Sequence, residues 1–365
     1  MLAARRTLTH KYAGKIELPL LIPAFSSKGF GFQYTFDGKD ERNDQNKREF
    51  SEVAHAIKEF TRWDMYSVLI SAYDLEFDHL ISPNESLEDL IDYLSKSTIV
   101  FIDSGGYELS SSFDSSEVKT FKYQPKEDFD KENYQQILEK VLDIKSDLHL
   151  IISNFDYESK GKPLEEQIQL ANELFIKFPD CINDFILKPF TKGSTVLDPN
   201  KMSKSDFESL SHFDIIGVTE NDLGLNLQDR IKRIAILRKG LNDAGLDTPI
   251  HIWGGLDPII TPLYFFVGAD IFDGISWMRY GYNRGVAINK VSYSILKDGL
   301  GLRTSHQENE AFLALNNLRH LDNLSSSLLY WFDLEGKDFS MFEEVGPKLK
   351  SAYDEIKTNV LGRGN

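Results

Sequence analysis

The chain has 365 residues, 41% of them hydrophobic, 12% aromatic and 27% charged. Those are the proportions of a folded globular protein and exclude a disordered, collagenous or coiled-coil chain. Its formal net charge, 41 − 57 = −16, counts against a protein devoted to gripping DNA or RNA, because phosphate neutralisation needs a basic face.

A single cysteine, Cys181, excludes an intrachain disulfide and any zinc site needing two or more thiolates from this chain, and it points to a reducing cytoplasm. In chain order, Arg5 and Arg6 lead into Thr-Leu-Thr-His-Lys with no apolar h-region, so no secretory signal is expected. The apolar run Leu18–Phe25 contains two prolines and falls far short of the ~20 residues of a membrane span. Strands are predicted at Ser67–Ser71, Thr98–Asp103, Leu148–Ser153, Asp184–Lys188, Phe213–Val218, Pro249–Trp253 and Asp270–Gly274, each a short β-branched run. Between them helices are predicted at Leu87–Leu94, Tyr134–Leu142, Leu164–Phe175, Leu227–Leu241 and Pro258–Val267. Leu227, Ile231, Ile234, Ala235, Leu237 and Leu241 keep the three-to-four residue spacing of a helix packed on one side. From Phe312 onward the chain reads as helices appended to this unit.

Alternating strands and helices mean parallel pairing with right-handed crossovers, either a (β/α)8 barrel or a doubly wound open sheet. No GxGxxG follows an early strand and no P-loop pattern occurs, which removes the usual nucleotide-binding versions of the open sheet. The positions of the polar residues then decide. Asp103 ends one strand before Ser104-Gly105-Gly106, Asp156 lies just beyond another, Trp253 ends a third before Gly254-Gly255, and Asp273 sits near the end of a fourth. Any one strand-ending Asp reads first as a helix cap or an Asx turn. Several carboxylates and two Gly-Gly pairs at successive strand ends are what a barrel mouth looks like in sequence. A (β/α)8 barrel over residues 1–305, with a helical C-terminal extension over residues 306–365, is therefore expected.

Phe101-Ile102-Asp103-Ser104-Gly105-Gly106-Tyr107-Glu108 resembles the DSGG[FY]Q signature of the tRNA-guanine transglycosylases and their DNA-modifying relatives. The segment Val267-Gly268-Ala269-Asp270-Ile271-Phe272-Asp273, followed by Arg279 and Asn283, is similar to that family's GvDmFD…tR…N segment. Weaker echoes at Leu18–Pro23, Ser71–Tyr73, Ile152–Asp156, Ile216-Gly217, His251–Pro258 and Leu315–Leu318 keep the family's order, over roughly residues 16–330. The resemblance implies an enzyme that replaces guanine by a 7-deazaguanine in a polynucleotide. In that chemistry a carboxylate nucleophile takes the sugar, and a second carboxyl moves the proton of the leaving and incoming bases.

Matched motif by motif, Asp273 is the implied nucleophile and Asp103 the implied general acid/base. Tyr107 falls on the stacking aromatic, and Trp253 falls where many relatives carry methionine, so the two would sandwich an extruded base. Asp156 matches the carboxylate that accepts from guanine's amino and ring N–H groups. Ser104, Gly105 and Gly254 belong to the same implied pocket, Gly105 and Gly106 letting backbone N–H groups approach a planar base. Gly217 is the implied source of further backbone contacts, although Val218-Thr219-Glu220 departs from the family's glycine-rich continuation. Lys188 stands near the place of a base-reading glutamine, with Leu187-Lys188-Pro189 departing from the motif. Arg279 and Arg284 open a stretch with Lys290, Lys297 and Arg303 in which Asp298 is a lone acid, and they are the candidates for backbone phosphates.

Relatives hold zinc with three closely spaced cysteines and a histidine. The corresponding stretch here, Lys290–Leu318, has no cysteine and carries Asn316 in place of the histidine, so neither zinc nor another cofactor is expected. In the family that element braces the tRNA-facing end, so its loss favours DNA slightly over tRNA as the acceptor. Three further readings stand beside base exchange: the same barrel acting on a free or protein-linked 7-deazaguanine, which the negative charge favours; a non-catalytic partner subunit, against which Asp103 and Asp273 argue; and an unrelated sugar or phosphate barrel. No membrane association is expected, and a homodimer is compatible with each reading.

Overall fold

A computed structural model describes residues 2–30, 52–60, 66–82, 84–110, 128–297 and 305–362. The chain starts with an antiparallel hairpin, β1 (Thr7–His10) and β2 (Gly14–Glu17). Eight strands follow: β3 (Leu20–Phe25), β4 (Ser67–Ser71), β5 (Ile99–Asp103), β6 (Leu150–Ser153), β7 (Ile182–Ile186), β8 (Ile215–Thr219), β9 (Ile250–Trp253) and β10 (Ile271–Gly274). All eight pair in parallel and close into a barrel in the order β10-β3-β4-β5-β6-β7-β8-β9. A second hairpin, β11 (Tyr280–Asn283) with β12 (Val286–Asn289), leaves the barrel after β10. The expected (β/α)8 architecture is the one observed.

The strands read as nearly unbroken apolar runs because both of their faces are buried. One set of alternate side chains, including Leu20, Ile22, Leu69, Ile99, Phe101, Ile151, Ile182, Ile215 and Ile271, fills the interior. The other set, including Val68, Val100, Ile152, Phe185, Ile216 and Phe272, packs outward against the helices. Leu8, Ile16 and Leu18 join the interior cluster, so the β1–β2 hairpin closes the end of the barrel from which β3 starts. Helix starts follow local chemistry: Ser86 with Asp89, Asp130 with Asn133 and Ser305 with Glu308 form reciprocal capping boxes.

Most expected elements are present with ends shifted by a few residues, and one strand was not expected. That eighth strand, β3, contains Pro23 and directly follows Pro19. Its register with β10 runs through Leu20–Pro23, whereas pairing with β4 takes over at Ala24 and Phe25, after the residue that has no N–H to donate. Strand β7 lies two residues earlier than the predicted Asp184–Lys188, which leaves Lys188 beyond the strand end. The segment beyond residue 305 is helical, as expected, and shares the barrel's outer core. Within the helix His306–Asp333, Trp331 packs on Phe266 and Tyr353 at ring-centroid distances of 4.1 and 5.2 Å. Among the described residues no helix is long and apolar enough to cross a membrane.

One buried ion cluster locks the barrel seam. Asp270 accepts from Arg6 Nη1, Arg238 Nη2 and the Ile250 N–H, each at 2.9 Å, tying the N-terminal strand region to β9, β10 and the helix Leu227–Asp243. Removing one partner of such a pair leaves an uncompensated buried charge, at a cost of about 3–5 kcal/mol. Asp270→Ala is accordingly expected to lose that much stability in urea unfolding, and a loss below about 1 kcal/mol would show that water reaches the guanidinium groups.

Candidate active site

The C-terminal ends of the barrel strands bring the polar residues together. Asp103 closes β5, and its Oδ1 accepts from the Ser104 N–H at 2.7 Å. The chain turns away at Gly105, whose φ is +88°; a Cβ there would lie 2.6 Å from Tyr73 Cβ, so the turn demands glycine. Ser104 is wholly buried and bonds Asp156 Oδ1 through its hydroxyl at 2.8 Å. Lys188 Nζ lies 2.7 Å from Asp156 Oδ2 and 3.4 Å from Asp222 Oδ2. Asp222 in turn receives the Thr219 hydroxyl at 2.6 Å and Lys160 at 3.2 Å. A line of alternating charge therefore runs along the mouth from β6 to β8. Lys188 is a counter-ion in that line: burial alone would lower its ammonium, but Asp156 and Asp222 outweigh it and raise it.

On the opposite side, Asp273 Oδ1 accepts from the Gly254 N–H at 2.9 Å. His251 Nε2 stands 3.2 Å from the same oxygen, a charge contact whose direction falls short of a hydrogen bond. The other ring nitrogen, Nδ1, is 2.6 Å from Asp184 Oδ2. Trp253, two residues further along β9, lays its ring against His251 at 4.3 Å between centroids. Gly217 makes this packing possible, since a Cβ there would lie 2.5 Å from Trp253 Nε1 and 2.6 Å from Asp184 Oδ1. The resemblance makes Gly217 a source of backbone contacts; the packing explains the glycine by the space its neighbours need.

The two implied catalytic carboxylates occupy different electrostatic surroundings. Burial, then the charges of Asp156 and Asp273, push Asp103 up to about 7. Beside it, burial and the charges of Asp74 and Asp103 push Glu108 up to about 8, while the Ser26 hydroxyl donates to it. Asp273 instead faces a cation. Burial would lower His251, yet Asp184 and Asp273 outweigh it and push the imidazole up to about 9. One carboxyl can thus exchange a proton near neutral pH, while the other carries a positive partner.

Tyr107 and Arg279 meet at the rim, with Arg279 Nη2 donating to the Tyr107 hydroxyl at 2.9 Å. The Lys28 ammonium lies 4.3 Å from the centre of the Tyr107 ring. Arg284 sits apart, at the β11–β12 turn, exposed and paired with Glu344 at 2.7 Å. Arg303 and Asp298 fall outside the described residues. Asn316 donates to the Tyr293 hydroxyl. Asn317 bonds Trp277 O at 2.5 Å, Tyr280 O at 2.7 Å and the Tyr282 N–H at 2.7 Å. Side-chain amides thus pin the second hairpin to the C-terminal helix. Among the described residues no three His, Cys, Asp or Glu side chains are grouped to hold a metal ion.

Asp103, Ser104, Gly105, Asp156, Lys188, Gly217, Trp253, Gly254 and Asp273 therefore share one mouth. Sequence reasoning passed over Asp184, His251 and Glu108. The first two carried a legible signal: each is a polar residue at an inward position of an apolar strand, in step with Ile182 and Ile186 or with Trp253. Glu108 had only its place at the end of the DSGG segment. No family model matches this chain, and no curated protein matches it.

Proposed function

We propose that the chain is a base-exchange transglycosylase, replacing guanine by a 7-deazaguanine in a polynucleotide, with DNA slightly favoured over tRNA. The observation that carries this reading is the pairing of Asp103 and Asp273 at one mouth in opposed electrostatic settings, which is how two carboxyl groups divide acid/base and nucleophilic work. In the first displacement Asp273 attacks the anomeric carbon, forming an ester as the glycosidic C–N bond breaks. The electron pair goes to the leaving base, which takes the proton of Asp103. In the second, Asp103 removes a proton from the incoming base, whose nitrogen attacks the same carbon and releases Asp273 as carboxylate. Asp156 meets the donor edge of the base, with Lys188 beside it supplying a hydrogen-bond donor. Trp253 and Tyr107 offer the aromatic surfaces.

Base binding tests the pocket apart from the chemistry. Stacking on an aromatic side chain contributes on the order of 1–3 kcal/mol per base, so Trp253→Ala should weaken binding of guanine or 7-cyano-7-deazaguanine by roughly 5- to 150-fold. Asp156→Ala should also lose affinity, because it removes a charge-assisted acceptor and leaves Lys188 with Asp222 alone. Calorimetry that finds both variants binding like the parent chain places the base elsewhere. Trapping an adduct with single-stranded DNA and with tRNA then reads the acceptor. The net charge of −16, which would repel a polyanion, favours a second reading in which the base is free or protein-linked. Tight base binding with no polynucleotide ever trapped selects that alternative.

A further inference from the structure

His251 and Asp184 have no part in the reaction as written above, yet both are wholly buried and reach the nucleophile's carboxylate in series. Asp184 projects inward from β7 and His251 from β9, and β8 runs between them. At the register position beside His251, β8 carries Gly217, and a side chain there would collide with Asp184 Oδ1. The missing side chain lets the Asp184 carboxylate span β8 to His251 Nδ1 at 2.6 Å, leaving Nε2 in charge contact with Asp273 Oδ1, 3.2 Å away.

We propose that His251, anchored by Asp184 across the gap at Gly217, is a positioning residue for Asp273 that sets a positive partner beside the nucleophilic carboxylate and stabilises it again when it departs. The inference rests on the base-exchange reading and adds to it what controls the nucleophile. The charged groups facing the ring are Asp184 from β7 and Asp273 from β10; the rings packed on it, Phe101 from β5 and Trp253 from β9, are uncharged. Asp103 adds a further negative charge near Asp273 whenever it is ionised. A carboxylate crowded by others in a buried site would take up a proton unless a cation opposed it. With the imidazolium in place, ester formation removes one of the ring's two anionic partners while Asp184 retains the other, so His251 keeps its proton throughout. No proton moves between His251 and Asp273, and the proton balance of the exchange remains with Asp103.

Nitrogen NMR of imidazole-labelled protein, with no substrate present, reads the first half of this inference. Both ring nitrogens of His251 should stay protonated through pH 8, and Asp184→Asn should lower the titration midpoint by about one pH unit or more. A neutral His251 ring at pH 7 in the parent chain overturns the inference. The second half is read from the rate of adduct formation against pH. His251→Gln keeps a hydrogen-bonding amide but no charge. It should move the acid limb of the profile upward and cut the rate at pH 7 by about 100-fold, with the base Kd changed by less than about twofold. An acid limb that stays in place overturns the inference even if the rate falls, because a merely structural defect lowers the rate without moving that limb. Should His251→Gln fail to fold, Asp184→Asn carries the same pH comparison. A parent chain that forms no adduct sinks the base-exchange reading and leaves the substrate-free titration to decide the charge state of His251.

Discussion

Asp273→Asn is expected to bind the base normally and to form no covalent sugar–enzyme adduct, lowering exchange by about 10⁴-fold or more. The amide matches the carboxylate in size, and its oxygen can still accept from the Gly254 N–H that Asp273 Oδ1 holds at 2.9 Å. It cannot supply the electron pair that forms the ester bond. The fold should tolerate the change, because His251 keeps Asp184 at 2.6 Å and no buried cation is left without a partner. Gel separation under denaturing conditions distinguishes adduct from free chain, and a melting curve checks the fold. An asparagine variant that still traps the polynucleotide at a rate near that of the parent chain would remove Asp273 from the chemistry.

Asp103→Asn should lower exchange by roughly 10²- to 10⁴-fold, the usual worth of a positioned general acid/base, and should change the shape of the pH profile. Burial foremost, then Asp156 and Asp273, holds this carboxyl at about 7. It is protonated below that pH and ionised above it. Departure of guanine needs the acid form, so in the parent chain adduct formation should fall as pH rises through about 7. Return by the incoming base needs the ionised form and should show the opposite slope. Both dependences should vanish in the asparagine variant.

The same carboxyl links stability to pH, with a definite sign. A folded chain whose Asp103 and Glu108 sit at about 7 and about 8 holds protons that the unfolded chain has released near pH 4. The stability those protons contribute is complete below the ordinary carboxylate range and is lost as pH rises through 7 and 8. Asp103→Asn removes one group that must otherwise be ionised while buried. The variant should therefore melt above the parent chain at pH 9, and the difference should close toward pH 5. A parent chain whose melting temperature is the same at pH 6 and pH 9 would show that neither carboxyl is desolvated as the fold implies.

By itself the sequence determined the architecture and marked several residues of the candidate site, because both are written in short-range pattern. β-branched runs alternating with three-to-four residue apolar spacing dictate parallel strands crossed by helices. Polar residues closing the apolar runs mark which end of the barrel is the mouth, and Asp103, Asp156, Trp253 and Asp273 were legible for that reason. The strand containing Pro23, β3, was not, since a missing N–H is tolerated only where the neighbouring ladder permits it, which local pattern does not reveal. The tertiary structure decided the rest. Lys188 lies beyond its strand, where it becomes the counter-ion of Asp156 and Asp222. Asp184, Gly217 and His251 come from three strands more than 30 residues apart in the chain, and their arrangement exists only once the barrel closes. Electrostatic coupling across a barrel depends on which inward positions meet at one level and on the loss of water between them. Neither quantity is carried by sequence spacing, so the upward shift of Asp103 and the His251–Asp184 pair beside Asp273 were set by the fold.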